Sequence, residues 1–278
     1  MRTSIHQIKK MKQNGEKISM LTAYDYATAR IVDEAGIPMI LVGDSLGMVV
    51  LGYDSTTSVT IEEMLHHTKA VVRGSQKALI VGDMPFMTYN ISLGEAKRNA
   101  ARFIQEAGAQ AIKLEGGVTV AETVKAIVDC GIPIMGHIGL TPQSINQLGG
   151  YRIQGKTAEA AAKLLDDAVA LEQAGAFSIV LETVPTPLAT LISQRISIPT
   201  IGIGAGSGCD GQVQVVSDIL GLFTDFFPKH AKQYAKLADT MRDAFAQYDK
   251  EVKNGTFPAE ENSFTMDESV LSGLKKQA

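Results

Sequence analysis

One complete strand-helix-strand unit can be read in residues 107–137, AGAQAIKLEGGVTVAETVKAIVDCGIPIMGH. The short apolar run 111–114 predicts a strand that is buried on both faces. The segment 120–129 has the apolar spacing of a helix, and the run 132–135 predicts the next strand. Because a helix joins the two strands, we expect them to lie parallel in one sheet.

The same alternation recurs along the whole chain. Apolar runs that predict strands lie at 18–22, 39–42, 78–81, 111–114, 132–135, 178–181, 200–203 and 213–216. Ala-rich segments with helical spacing separate most of these runs. Eight strands with interleaved helices predict an α/β protein with a single (β/α)₈ barrel, the TIM barrel.

Helical segments are also expected outside the repeating unit. Residues 4–13 predict an extra N-terminal helix over the barrel floor, and residues 229–253 predict a long C-terminal helical stretch. We expect residues 1–264 to form the barrel as a catalytic domain and residues 265–278 to form a loosely ordered extension. Capping-box spacing predicts four helix starts, at Ser4 with Gln7, Thr60 with Glu63, Ser92 with Glu95 and Thr119 with Glu122.

The composition excludes several classes of protein. The 278 residues include 26 basic and 30 acidic side chains, a formal net charge of −4, which argues against nucleic acid or an anionic membrane as a partner. Cys130 and Cys209 are too few for the disulfide framework of a secreted protein, and neither a signal segment nor a transmembrane run of about 18 apolar residues is found. We expect a cytoplasmic protein that acts on a small molecule.

Ionisable side chains occur where five successive predicted strands end, namely Asp44, Asp83, Glu115 with Lys113, His137 and Glu182. Taken singly, each has an ordinary explanation, such as a turn for an Asp or an ion pair between Lys113 and Glu115 on one strand face. In a (β/α)₈ barrel, however, the loops after the strands form the active site. The shared position of these residues therefore predicts one catalytic site.

The three acidic residues Asp44, Asp83 and Glu115 are hard oxygen ligands without a nearby Cys, which suits Mg²⁺ rather than Zn²⁺. Three clustered carboxylates repel one another, so a divalent cation or raised pKa values are required. Lys113 and His137 could then supply positive charge or hydrogen bonds to an anionic substrate. A fourth carboxylate, on Glu182, is left to act as a base.

The glycine-rich segment 206–211, GSGCDG, matches a dinucleotide-binding pattern, but we reject that function. The fingerprint must open a helix in an open sheet, whereas the segment 212–216 that follows predicts a strand. An anion site or a tight turn over the active site remains as an alternative for this loop.

Seven segments carry a family resemblance: LTAYD at 21–25, VGDSLG at 42–47, GDMPF at 82–86, KLEGG at 113–117, MGHIGLTPQ at 135–143, LETVP at 181–185 and IGIGAG at 201–206. With them the chain resembles the ketopantoate hydroxymethyltransferase family over roughly residues 3–264, and residues 137–143 are close to family-specific. Two departures are visible. The interval between Asp83 and Glu115 is slightly long, and the segment after Phe264 is an extension.

The resemblance implies a (β/α)₈ fold and the transfer of a hydroxymethyl group from 5,10-methylenetetrahydrofolate to 3-methyl-2-oxobutanoate, the first step toward pantoate. It implies a cytoplasmic homodecamer. By the same resemblance, Mg²⁺ binds at the positions of Asp44, Asp83 and Glu115, the keto acid at those of Asp44, Ser45, Asp83 and Lys113, and the proton acceptor is Glu182. For His137 we expect a role in orienting substrate or relaying a proton.

Two other functions are considered. A lyase of the phosphoenolpyruvate mutase and isocitrate lyase kind would carry a catalytic Cys in a Lys-Cys-Gly-His loop, and neither Cys130 nor Cys209 lies in such a loop. A non-catalytic, oligomeric ligand-binding barrel would be expected to lack one or more of the acidic residues. All of them are present.

Overall fold

Eight parallel strands form a closed barrel in the computed structural model, which describes residues 2–271. The strands are β1 Ile18–Thr22, β2 Met39–Val42, β3 Leu79–Asp83, β4 Ala111–Glu115, β5 Ile134–Gly139, β6 Ser178–Glu182, β7 Thr200–Ile203 and β8 Gly211–Gln214. Each strand pairs with the next, and β8 closes the barrel on β1 with Met20 opposite Val213. The predicted (β/α)₈ barrel is confirmed.

Helices surround the barrel and cover its floor. Across residues 2–271 the α-helices are α1 Ile5–Gln13, α2 Tyr26–Glu34, α3 Leu46–Val49, α4 Ile61–Gly74, α5 Leu93–Gln105, α6 Ala121–Val128, α7 Ile145–Leu148, α8 Ala158–Gln173, α9 Thr186–Arg195, α10 Val216–Leu220 and α11 Leu237–Lys253. Within the same residues, no helix combines the length and the hydropathy needed to cross a lipid bilayer.

Three of the four predicted helix starts are confirmed. Ser4 and Thr60 form complete capping boxes at α1 and α4, and the Ser92 side chain accepts a hydrogen bond from Glu95 N at α5. The prediction at Thr119 is wrong, because residues 118–120 form a 3₁₀ turn and α6 begins at Ala121 without a side-chain cap. Asp167 Oδ1 accepts the hydrogen bond of Val118 N at 2.8 Å, so a side chain distant in sequence satisfies the backbone donor at the start of this turn.

The predicted bounds differ from the structure by one or more residues at several elements, and most at two strands and one helix. β5 begins at Ile134 instead of residue 132 and continues to Gly139, so His137 lies within the strand. β8 ends at Gln214, because α10 begins at Val216, whose backbone N donates to Thr22 Oγ1. The segment 229–236 is not helical, and α11 covers only the later part of the predicted stretch 229–253.

The apolar core has two layers, one inside the barrel and one between the strands and the outer helices. Met20, Met39 and Phe177 are among the residues that fill the interior, and Ile8 of α1 packs into this same cluster with no exposed surface. The N-terminal helix therefore closes the floor of the barrel, as predicted. Because the floor is filled with apolar side chains, the cavity opens at the opposite end, where the strands finish.

The domain boundary proposed at residues 264 and 265 stays a prediction. Residues 265–271 include an exposed 3₁₀ turn at Glu268–Leu271, and residues 272–278 of the predicted extension lie outside the described part of the chain.

Candidate active site

A cavity of about 670 Å³ opens at the C-terminal ends of the strands. Every residue predicted for the site lines it: Asp44, Ser45, Asp83, Lys113, Glu115, His137 and Glu182. Barrel closure brings these positions together, since Asp83 is the strand partner of Lys113 and Glu115 is that of His137. The volume falls within the range of small-molecule sites and exceeds what a five-carbon keto acid needs.

A buried ion pair lies at the centre of the cavity wall. Lys113 Nζ is 2.7 Å from Asp83 Oδ1 and 3.9 Å from Glu115 Oε1, and all three side chains are buried. Burial lowers the pKa of Lys113, but the neighbouring carboxylates outweigh burial and hold that pKa above its ordinary value. Lys113 is therefore a permanent cation in this wall.

The acidic residues beside this pair differ in their pKa values. Burial raises the pKa of Asp44 well above its ordinary value, and the charges of Asp83 and Glu115 raise it further. Burial also raises the pKa of Asp83, against the opposing effect of Lys113. Burial opposes ionisation of Glu115 as well, but its contacts with His137 and Lys113 outweigh burial and lower its pKa. Ionisation is therefore disfavoured at Asp44 and Asp83 and favoured at Glu115.

His137 lies between two carboxylates. Its Nδ1 is 3.3 Å from Glu115 Oε1, and its Nε2 is 3.2 Å from Glu182 Oε2. Burial and the nearby Lys113 lower the pKa of His137, but the two glutamates outweigh both and raise it to about 9. The imidazolium form therefore ties the Glu182 carboxylate to the wall that holds Lys113.

Two residues that sequence reasoning did not assign to the site support its carboxylates. Gln143 Nε2 donates to Asp44 Oδ2 at 2.9 Å, and Gln143 N donates to Glu115 Oε2 at 3.0 Å. Tyr89 OH donates to Gln143 Oε1 at 2.6 Å and holds the amide in that orientation. Gln143 ended the family-like segment 135–143 and could have been found from it, whereas nothing in the sequence singled out Tyr89.

Ser45 completes this side of the cavity. Its Oγ shares a hydrogen bond of 2.9 Å with Tyr24 OH, a residue of the family-like segment 21–25. The hydroxyl lies directly after Asp44 in the chain, where β2 leads into α3. Ser45 is therefore placed to contact the same ligand as Asp44.

The oxygen donors at Asp44 and Asp83 suit Mg²⁺, which proteins commonly hold through one or two carboxylates together with water and substrate oxygens. The two residues adjoin, since Asp44 N donates to Asp83 Oδ2 at 3.2 Å. Asp83 Oδ1 is buried and accepts no well-oriented hydrogen bond, although it lies close to Lys113 Nζ. Among residues 2–271 no three His, Cys, Asp or Glu side chains are grouped to hold a metal ion by themselves. The ligand role of Glu115, whose carboxylate faces His137 and Gln143, stays a prediction.

Comparisons with known proteins agree on one family. The family model described as ketopantoate hydroxymethyltransferase matches residues 2–260. A protein named 3-methyl-2-oxobutanoate hydroxymethyltransferase from Dehalococcoides mccartyi (strain CBDB1) is 68% identical over 99% of this chain and 99% of its own length. Another of the same name from Clostridium novyi (strain NT) is 58% identical over 99% of this chain and 100% of its own length.

One solved structure with a similar backbone belongs to an enzyme of another name. A crystal structure of 2,3-dimethylmalate lyase, a member of the PEP mutase/isocitrate lyase superfamily, aligns with a TM-score of 0.58 over 99% of this chain and 100% of that one. The two sequences are only 17% identical, so the likeness concerns the barrel fold alone.

Proposed function

The chain belongs to the ketopantoate hydroxymethyltransferase family, and from that membership we propose that it transfers a hydroxymethyl group from 5,10-methylenetetrahydrofolate to 3-methyl-2-oxobutanoate. The product is 2-dehydropantoate, or ketopantoate. The position of Glu182 is the observation that carries the proposed mechanism. Its carboxylate lines the same cavity as Lys113, and its side chain is 17% exposed, so it can reach a bound substrate.

The reaction begins with removal of a weakly acidic proton from C3 of the keto acid. Glu182 accepts this proton, and His137 at 3.2 Å holds the carboxylate in place. A carboxylate is too weak a base for such a proton unless the negative charge that develops on the substrate is stabilised. The cationic Lys113 supplies part of that stabilisation and binds the anionic substrate.

A divalent metal would be held by Asp44 and Asp83, with Glu115 beside them. When bound, Mg²⁺ acts as a Lewis acid on the oxygens of the keto acid. Gln143 orients the Asp44 carboxylate toward this position, and Ser45 adds a hydroxyl for the substrate. These side chains thus orient the keto acid with C3 toward Glu182.

The transfer of the hydroxymethyl group then needs no oxidant or reductant. The C3 carbon forms a bond to the methylene carbon of the folate, both bonds from that carbon to the folate nitrogens break, and water supplies the hydroxyl group. The proton held by Glu182 and the second proton of the water return to the folate nitrogens. Tetrahydrofolate and ketopantoate leave the cavity.

The two alternative functions are less well supported. The lyase superfamily shares the fold at 17% identity, whereas relatives at 58% and 68% identity over their full length are named as hydroxymethyltransferases. A non-catalytic barrel has no need of a buried ion pair such as Asp83 with Lys113, because burying charge is unfavourable without a function or good compensation.

Hydrogen exchange separates the first step from the folate-dependent one. Purified protein with 3-methyl-2-oxobutanoate and Mg²⁺ in D₂O should incorporate deuterium at C3 in the absence of folate, as followed by NMR. Addition of 5,10-methylenetetrahydrofolate should then give ketopantoate.

The variant Glu182→Gln should lose the C3 exchange, because an amide cannot accept the proton. The matched control is Glu159→Gln, which alters an exposed glutamate on α8 and should exchange like the unmodified protein. Undiminished exchange in Glu182→Gln would exclude Glu182 as the base.

We also propose that the protein assembles with itself, with the decamer expected from the family resemblance as its size. Helix α11 carries Met241, Phe245, Tyr248 and Val252 on one face, and all four are exposed. An exposed apolar face of this kind usually marks a protein interface. The cytoplasmic location expected from the cysteine usage stays a prediction.

A further inference from the structure

The wall of the cavity formed by β8 and the segment after it has no part in the mechanism above. It contains Gln214, Asp218, Phe223 and Phe226, and we refer to these four residues as the β8 wall. The catalytic side chains come from the ends of β2 to β6, so the β8 wall faces a different part of the space. A second substrate would occupy that part while the keto acid lies at Lys113.

Asp218 is the unusual residue of this wall. It is only 6% exposed, yet no described residue donates a hydrogen bond to its carboxylate or forms an ion pair with it. Burial alone raises its pKa to about 6. Buried carboxylates are nearly always paired or hydrogen-bonded, so an unpartnered one that lines a cavity points to donors on a ligand.

Gln214 adds a second free acceptor. Its Oε1 is buried and has no hydrogen-bond partner, and the residue precedes the turn into α10, which carries Asp218. Gln214 and Asp218 both line the same cavity, and a turn of the Gln214 amide would bring its Oε1 to the cavity surface.

Aromatic rings accompany these acceptors. Phe223 and Phe226 both line the cavity, and Phe226 keeps 66% of its surface exposed. Rings at such a position can contact the face of a flat heterocycle. The β8 wall thus combines acceptors for adjacent N–H groups with apolar surface for a planar ring.

The keto acid does not match this wall. It is an anion, and the Asp218 carboxylate would repel it, whereas Lys113 attracts it. A heterocycle with a ring N–H beside an exocyclic amine does match, because a carboxylate accepts both hydrogen bonds side by side. The pterin ring of a reduced folate carries this pair of donors.

We propose that Asp218 and Gln214 bind the amine-bearing edge of the co-substrate's pterin ring, with Phe223 and Phe226 against the ring. This assignment rests on the proposed function, since it takes a reduced folate as the donor. It makes Asp218 a binding residue for the second substrate and gives it no role in proton removal from the keto acid.

Calorimetric titration with tetrahydrofolate tests the assignment without turnover. The variant Asp218→Asn keeps the size of the side chain but loses one acceptor and the charge, so its Kd should rise about tenfold or more. Gln214→Leu should also weaken binding, which provides a second test if one variant folds poorly. Asp225→Asn, an exposed carboxylate in the same segment, is the matched control and should bind like the unmodified protein.

Deuterium exchange at C3 of the keto acid without folate is the companion measurement. Asp218→Asn should keep the exchange rate of the unmodified protein while it loses tetrahydrofolate affinity. Unchanged affinity in Asp218→Asn, or loss of exchange along with affinity, would overturn the assignment.

If the unmodified protein exchanges C3 but neither binds tetrahydrofolate nor uses the methylene donor, the folate part of the proposed function fails and the assignment fails with it. If every variant binds tetrahydrofolate and turns over normally, the assignment is overturned and the proposed function still stands.

Discussion

Gln143 Nε2 donates a hydrogen bond of 2.9 Å to Asp44 Oδ2, although the two residues are 99 positions apart in the chain. The same amide nitrogen donates to Met84 O at 3.0 Å, so it ties the loop after β5 to the ends of β2 and β3. The orientation of the Asp44 carboxylate therefore depends on a residue that itself has no predicted contact with metal or substrate.

Replacing Gln143 should weaken the metal dependence of activity. Gln143→Leu removes the donor to Asp44 and the acceptor for Tyr89 OH, and loss of such supporting contacts typically reduces metal affinity or activity about 10–100-fold. The half-saturating Mg²⁺ concentration, measured by initial rates, should rise. Gln147→Leu, an exposed neighbour, should leave it unchanged. An unaltered Mg²⁺ dependence in Gln143→Leu would mean that Asp44 needs no such support.

Metal removal should abolish catalysis reversibly. Activity should fall to background in EDTA and return with Mg²⁺, while Asp83→Asn should stay inactive because it loses a carboxylate that adjoins Asp44 and pairs with Lys113. Asp54→Asn, an exposed loop carboxylate, serves as the control and should behave like the unmodified protein. Turnover that persists in EDTA would rule out the metal.

The stability of the protein without ligands should depend on the ionisation of Asp218. Because burial raises its pKa from the ordinary value of 3.8 to about 6, its contribution to stability is complete below pH 3.8 and is lost as the pH rises through about 6. Asp218→Asn cannot ionise, so it should melt about 2–4 °C above the unmodified protein at about pH 8, a shift discounted for contact with cavity water.

The same comparison at about pH 4.5, near the lower end of this pH window, should show a clearly smaller difference in Tm between Asp218→Asn and the unmodified protein. A Tm difference of equal size at both pH values would contradict the assigned pKa shift and indicate a packing effect.

Gly117 should tolerate no side chain. A Cβ at this position would overlap Asp167 Cγ, whose carboxylate also accepts the hydrogen bond of Val118 N. Gly117→Ala must displace Asp167 and should lower the free energy of unfolding by about 1–3 kcal/mol in urea denaturation. Gly94→Ala in α5 is the control, since only Ser92 Oγ lies within 4 Å and Ala favours the helix. Equal stability of Gly117→Ala and the parent would show that Asp167 moves freely.

The apolar face of α11 should hold the protein together as an oligomer. Light scattering after gel filtration should give a multiple of the 29.7 kDa chain mass, with ten copies expected, and Phe245→Asp should reduce it by burying a charge at the contact. Gln247→Asp alters an exposed residue outside this apolar face and should leave the assembly intact. If the unmodified protein is a monomer, the proposal that α11 holds an oligomer together is wrong.

Local patterns account for what could be predicted from the chain. Short apolar runs and caps such as Ser4 and Thr60 depend on neighbouring residues, so the helices, the strands and the barrel followed from them. The position of an ionisable residue after a strand was also sufficient to bring Asp44, Asp83 and Glu182 to one end of the barrel. The false cap at Thr119 marks the limit, because Asp167, far along the chain, decides that turn.

The barrel, the family and the side chains that line its open end could be predicted from the chain, since each depends on order and spacing along it. The fold alone shows how those side chains pair: Lys113 with Asp83, His137 between two glutamates, and Gln143 on Asp44. It also revealed that Asp218 is buried without a partner. Pairing and burial are set when the strands close into a barrel, and closure brings together residues whose separation in sequence carries no information about their contact.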